Sequence, residues 1–200
     1  MIAEMIDKTN VGYYATAGQF INIAMFIPII LVQTLTPILV RVKDNNPNLY
    51  ENKKVQFISL LTWASIIIAL IISVIANPLI KITFGERYLP AVPILQISIW
   101  KLVGMALSSA SGQIIILEGI QKWTSIRNFL SCGLCILLNL LLIPQMGVIG
   151  ASWASVITLL GASYMFNIVI PPYYKLMKVQ TISILFGWKY CYEYLRRLTV

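Results

Sequence analysis

The chain has 200 residues, 58% of them hydrophobic and 11% charged, with a mean hydropathy of +0.81. Soluble globular domains carry about a quarter charged residues, so an ordinary soluble fold is excluded and an all-α membrane protein is implied. The net charge of +8 does not point to nucleic acid, because the basic residues sit at the ends of apolar runs and form no single patch. Histidine is absent, which removes the commonest general base and metal ligand. No cofactor or metal site is expected.

Residues 1–10 are short and mildly acidic, with Glu4, Asp7 and Lys8 and no secretory signal. Residues 11–40 form a long apolar run containing Pro28 and Pro37. At 1.5 Å per residue it exceeds a hydrocarbon core of about 30 Å, so a kinked or tilted helix is predicted. Gln19, Asn22, Phe26 and Gln33 recur at helical spacing on one face of it. Amides that face lipid without partners are costly, so this face looks toward other helices or toward water. Interhelical hydrogen bonding and a solute-lining role both fit.

A polar run at 41–54 carries the turn cluster Asn45-Asn46-Pro47-Asn48 and is expected to be a loop. Residues 55–76 are a second spanning helix, which Asn77-Pro78 should stop. Residues 79–93 are proline-rich and read as an interfacial turn, with Phe84 and Tyr88 at headgroup level. A third helix covers 94–117 and holds Lys101, with Gly104, Ser108 and Ser111 on the same face. An ionisable group at that depth is a functional hypothesis, set against a stem that snorkels to the interface.

The fourth helix, 123–143, carries Asn128, Cys132, Cys135 and Asn139 on one stripe. Its C-x-x-C lies inside an apolar run, where two small packing residues are expected and not a redox or zinc pair. Pro144-Gln145-Met146-Gly147 then joins it to a fifth apolar run, 147–170, giving a membrane hairpin with no charge in its turn. Gly147, Gly150, Ala154, Thr158 and Gly161 line the second arm and permit close helix packing. After Pro171-Pro172, residues 173–200 have an apolar centre too short to span. Leu185, Trp188, Tyr192 and Leu195 oppose Lys189, Glu193 and Arg196, which predicts an amphipathic helix on the membrane surface.

The architecture expected is therefore a polytopic helical bundle of about five spanning helices in residues 1–172, with an interfacial tail at 173–200. One set of loops holds most of the basic residues, including Arg41, Lys43, Lys53, Lys54, Lys122, Arg127, Lys175 and Lys178; the other set holds Lys8, Lys81 and Arg87. By the positive-inside rule the first set, and with it the C-terminus, is cytoplasmic. Met1 then lies outside, which suggests a helix preceding it and a chain that is a fragment of a longer protein.

Three stretches resemble a known family. NLLLIPQMGVIGASWASVIT is similar to the "N-x-x-L-I-P-x-x-G-x-x-G-A-x-x-A" hairpin of polysaccharide flippases. FGERYLPAVPILQISIW resembles the "G-x-x-Y-x-x-A" lead-in to their tenth helix, and DKTNVGYYATAGQF the junction before their eighth. These are the O-antigen and capsule exporters of the multidrug/oligosaccharidyl-lipid/polysaccharide exporter superfamily, and the similarity covers nearly all of residues 1–170. It implies the C-terminal lobe of a two-lobe transporter, with residues 1–6 as the tail of a truncated helix and the N-terminal lobe missing. It also implies the bacterial inner membrane, an undecaprenyl-pyrophosphate-linked oligosaccharide as substrate, membrane lipids as surroundings, and polymerase and ligase machinery as further partners. On one-face spacing and charge, Gln19, Asn22, Gln33 and Asn139 are the expected cleft-lining residues, and Lys101 the expected contact of the anionic pyrophosphate. The rival readings are an ion-coupled multidrug antiporter, for which Glu118 at a helix end is the only candidate carboxylate, a membrane glycosyltransferase or ligase, and an inactive remnant.

Overall fold

The computed structural model describes residues 8–198, with the side chains of residues 8, 48 and 189–198 outside the description. The readings of residues 1–6 and of Glu4 and Asp7 fall outside the described residues, as does the polar face of the tail from Lys189 onward. Among the described residues the chain is helical and has no strand. Four segments are long and apolar enough to cross a membrane: Thr9–Asn45, Leu49–Phe84, Ala91–Leu117 and Gln121–Val169. The chain is a multi-pass membrane protein.

Helix α1 is Lys8–Asn45 and helix α2 is Pro47–Phe84, each of 38 residues. At 1.5 Å per residue each is roughly 57 Å long, so both reach well past the hydrocarbon core. The polar run 41–54, expected to be a loop, is instead the projecting ends of these two helices. A single residue separates them. Asn46 has extended backbone (φ −154°, ψ 97°), its side chain accepts the Leu49 N–H at 3.2 Å, and Pro47 takes the first helical position, where its missing donor costs nothing.

The expected stop at Asn77-Pro78 does not occur. Pro78 lies inside α2, as Pro28 and Pro37 lie inside α1. In lipid no water can satisfy a broken backbone, so the helix continues through each proline. Gln96 donates to the Ser73 carbonyl at 3.1 Å, just over one turn before Pro78. Within α1, Thr34 and Thr36 donate to the carbonyls of Ile30 and Val32, one turn back on their own helix.

The interfacial turn shrinks to Gly85 and one 3₁₀ turn, Glu86–Tyr88. Phe84 and Tyr88 do form an aromatic cluster there, with Tyr13 edge-on to Tyr88 at 6.0 Å and Phe20 edge-on to Phe84 at 5.8 Å. The third apolar run is interrupted at Ile99-Trp100, giving α3 (Ala91–Ser98) and α4 (Lys101–Leu117).

Helix α5, Thr124–Leu160, bends back on itself at Gly147, whose φ of 60° and ψ of −135° suit glycine alone. That bend is the predicted hairpin turn, and it divides the 49-residue apolar segment into two arms. The arms touch closely: a Cβ on Gly150 would lie 2.1 Å from the Leu142 carbonyl oxygen. Farther along, a Cβ on Gly161 would meet the Leu134 side chain, and one on Gly104 of α4 would lie 3.1 to 3.2 Å from Leu159 and the Leu160 nitrogen. The small-residue stripe thus serves the hairpin's own closure as well as its seat on α4. Its last turn widens into a π segment, Gly161–Met165, followed by α6 (Phe166–Val169).

Helix α7, Tyr174–Leu198, follows Pro171–Tyr173. Through residue 188 it lies lengthwise on α2. Ser183 donates to the Val55 carbonyl at 3.2 Å, and four residues on, Gly187 faces Ser59 and Trp63. Leu176, Gln180, Ser183 and Gly187 form the packed face, while Leu185 and Trp188 of the expected apolar face lie exposed on the outside. Two apolar cores stack along the bundle. One surrounds Leu39, Ile58, Leu61, Leu107 and Tyr173; the other surrounds Ile21, Ile80, Leu95, Ile99 and Leu102. The first arm of α5 carries exposed Phe129, Ile136, Leu137, Leu140 and Leu141, as a lipid-facing helix should.

Candidate functional site

Helix α1 turns Ala17, Ile21, Ala24 and Val32 into the bundle. The same period places Gln19, Asn22 and Gln33 on the opposite side, where all three are exposed and have no side-chain hydrogen bond among the described residues. Phe26 shares that side at 62% exposure. The amide face therefore looks away from the helices of this chain.

Lys101 opens α4 and is half-buried. Its ammonium donates to the Tyr14 hydroxyl at 3.0 Å and lies 5.2 Å from the centre of that ring. Tyr14 in turn meets Ser155 Oγ at 3.2 Å, and Ser155 donates its own hydrogen to the Ala151 carbonyl at 2.8 Å. The hydrogens can be assigned without conflict: lysine to tyrosine, tyrosine to serine, serine to backbone. This chain joins α1, α4 and the second arm of α5. An ammonium has three N–H donors, so two remain for an anion.

Asn139 stays apart from Lys101's partners. Its Nδ2 donates to the carbonyl of Cys135 at 2.7 Å and also approaches Cys135 Sγ at 3.3 Å, both on its own helix. Of the five expected lining residues, Lys101 alone makes a bond to another helix, and it reaches α1 at Tyr14 and not at the amide face.

Sequence reasoning passed over two further polar centres. The first is buried. Gln180 donates to Ser111 Oγ at 2.6 Å and to the Ser163 carbonyl at 2.9 Å, and accepts from Asn167 Nδ2 at 2.9 Å. Asn167 also donates to the Ser163 carbonyl at 2.9 Å. All four residues are fully buried, and the π segment offers Ser163's carbonyl to both amides. A lone Gln between apolar residues on one face of the tail was the available signal.

The second centre is the basic end. Lys54 of α2, 6% exposed, pairs with Glu118 at 2.7 Å and Glu51 at 2.8 Å, while Lys43 of α1 caps the Leu117 carbonyl at the end of α4. Next to it, Arg127 of α5 is 7% exposed and has its guanidinium 5.9 Å from the centre of the Tyr173 ring. Tyr173's hydroxyl meets Thr124 at 3.1 Å and the Ile120 carbonyl at 3.2 Å. Arg127 Nη1 is buried with no hydrogen-bond partner among the described residues. A ring face contributes about 0.5–2 kcal/mol to a cation, whereas an unpaired buried charge costs several. The tyrosine does not balance the arginine.

Comparison with known proteins bears on the first half of the chain. Residues 1–93 match a family model described as polysaccharide biosynthesis protein. That region contains Tyr14 and the amide face of α1; Lys101, Asn139 and the hairpin lie beyond it. No curated protein and no solved structure matches the chain.

Proposed function

We propose that this chain is one lobe of a transporter that moves a lipid-linked oligosaccharide, of the undecaprenyl-pyrophosphate type, across the bacterial inner membrane during polysaccharide biosynthesis. The observation that carries the proposal is the amide face of α1, turned away from its own bundle within a segment that matches polysaccharide biosynthesis proteins. A helix of this apolar composition has no use for Gln19, Asn22 and Gln33 in lipid. It has a use for them where a second lobe encloses a wet cleft.

Moving a sugar hydroxyl into hydrocarbon without a partner costs roughly 4–8 kcal/mol, and an oligosaccharide has many. Amide side chains, each offering donors and acceptors, lower that barrier while the lipid tail stays in the bilayer. Lys101, held by Tyr14 with two donors to spare, is the group we assign to the pyrophosphate. Rocking of the two lobes would then carry the headgroup across. In this scheme the basic end is cytoplasmic, following the distribution of Lys and Arg. Glu118, which an ion-coupled antiporter would need as its carboxylate, is held by Lys54 at that end.

The test is export in cells that depend on the gene for surface polysaccharide. Lys101→Gln, at unchanged protein level, should reduce export at least about tenfold, the loss expected when a charge-assisted contact worth about 1.5–3 kcal/mol disappears. Unchanged export would remove Lys101 from the phosphate role.

A further inference from the structure

We propose that the first turn of α5 and Arg127 hold a phosphate group at the basic end of the bundle, in a site separate from Lys101 and independent of the transport assignment. Two positive features converge there. The amino-terminal end of the first arm of α5, which runs from Thr124 to the turn at Gly147, carries the positive end of that arm's dipole, and that same first turn contains Arg127. A cation at this end of a helix is disfavoured unless an anion joins it.

The side chain does not escape to water. Arg127 is 93% buried, by its 7% exposure, and lies over the Tyr173 ring with Nη1 unpartnered. No carboxylate among the described residues pairs with it. Glu118 and Glu51 bind Lys54, and the Thr124 hydroxyl and Ile120 carbonyl meet Tyr173. The surroundings give the depth: Trp123 is half-exposed one turn earlier, and Ile126, Phe129 and Leu130 are exposed beside it. Tryptophan followed by aliphatic residues marks the passage from headgroups to hydrocarbon. A phosphate at that level supplies the missing negative charge and accepts from the guanidinium in its fork geometry. An anionic phospholipid headgroup and a free phosphate share this chemistry, and the experiment separates them.

The full chain, purified in detergent, is analysed by native mass spectrometry and thermal unfolding with phosphatidylglycerol, with diacylglycerol, and with inorganic phosphate. One phosphatidylglycerol should be retained and should raise Tm, while diacylglycerol, which lacks the phosphate, should do neither. A Tm rise with inorganic phosphate alone would support the site with free phosphate as its source. Arg127→Gln should weaken phosphatidylglycerol retention more than about tenfold, and Arg127→Lys, which keeps charge and loses the fork, should fall between. Retention by Arg127→Gln equal to that of the original chain would overturn the proposal. If that variant does not fold, the comparison of phosphatidylglycerol with diacylglycerol decides. Equal effects of these two lipids, with none from phosphate, would also overturn it.

Discussion

Gly150→Ala is the sharpest test of the hairpin. The added Cβ would stand 2.1 Å from the Leu142 carbonyl oxygen, 2.6 Å from its carbon and 3.2 Å from the Ile143 nitrogen. Ordinary contact between such atoms begins near 3.4 Å, so the overlap exceeds an ångström, and every atom concerned is backbone. No rotamer change can relieve it. The arms must part at the point where Gly147 fixes the turn, and the parting is transmitted to Gly161 against Leu134. Overpacking of this kind costs about 1–3 kcal/mol. The opposing gain from replacing a helical glycine by alanine is no more than about 1 kcal/mol. A net loss of about 1–2 kcal/mol is expected, read by unfolding the micelle-bound chain with a denaturing detergent and following helical circular dichroism. Gly133→Ala, on the first arm with nothing within 4 Å of the new methyl, is the matched control and should be neutral or stabilising. Equal stability of the two variants would refute the close approach of the arms.

Three other outcomes follow from the packing. Gln180→Ala removes the partner of Ser111 and of Asn167 at a fully buried site and should cost about 2–4 kcal/mol, measured in the same unfolding assay. Gly187→Leu drives a side chain into Trp63 Nε1, 2.6 Å from where its Cβ would be; α7 should lift from α2 with a shift in tryptophan emission, and unchanged emission would speak against the α2–α7 contact. Lys54→Met leaves Glu118 without its partner. Glu118 is 29% exposed, so the loss should stay near 1–2 kcal/mol, below the 3–5 of a fully buried pair, and Glu118→Gln in the same chain should restore part of it.

Apolar length and turn chemistry made the spans and the hairpin legible: Pro144 and Gly147 sit where the chain reverses, and the aromatic residues Phe84 and Tyr88 sit where the interface was expected. Helix ends were harder to read. Polarity at 41–54 and proline at 78 indicate a loop and a stop in water, but a helix longer than the bilayer core keeps its ladder through both, leaving Asn46 as the single break. The amide face of α1 was legible because helical period alone places Gln19, Asn22 and Gln33 together. Lys101 was legible as an anomaly; its partner Tyr14, 87 residues earlier, was not, since no local pattern pairs them. The same holds for Arg127, which looks like an ordinary loop cation until Tyr173 covers it, and for Gln180, whose amide has meaning only beside Ser111, Ser163 and Asn167.

The proposed transport by a lobe that presents the α1 amides to a cleft is testable in the leaflet distribution of lipid-linked oligosaccharide in cells with and without the gene, measured with a membrane-impermeant sugar-modifying probe. Loss of the gene should leave the lipid-linked sugar in the cytoplasmic leaflet, and Gln19, Asn22 and Gln33 changed together to leucine should reproduce that arrest at normal protein level. The same distribution with and without the gene would contradict the proposed transport.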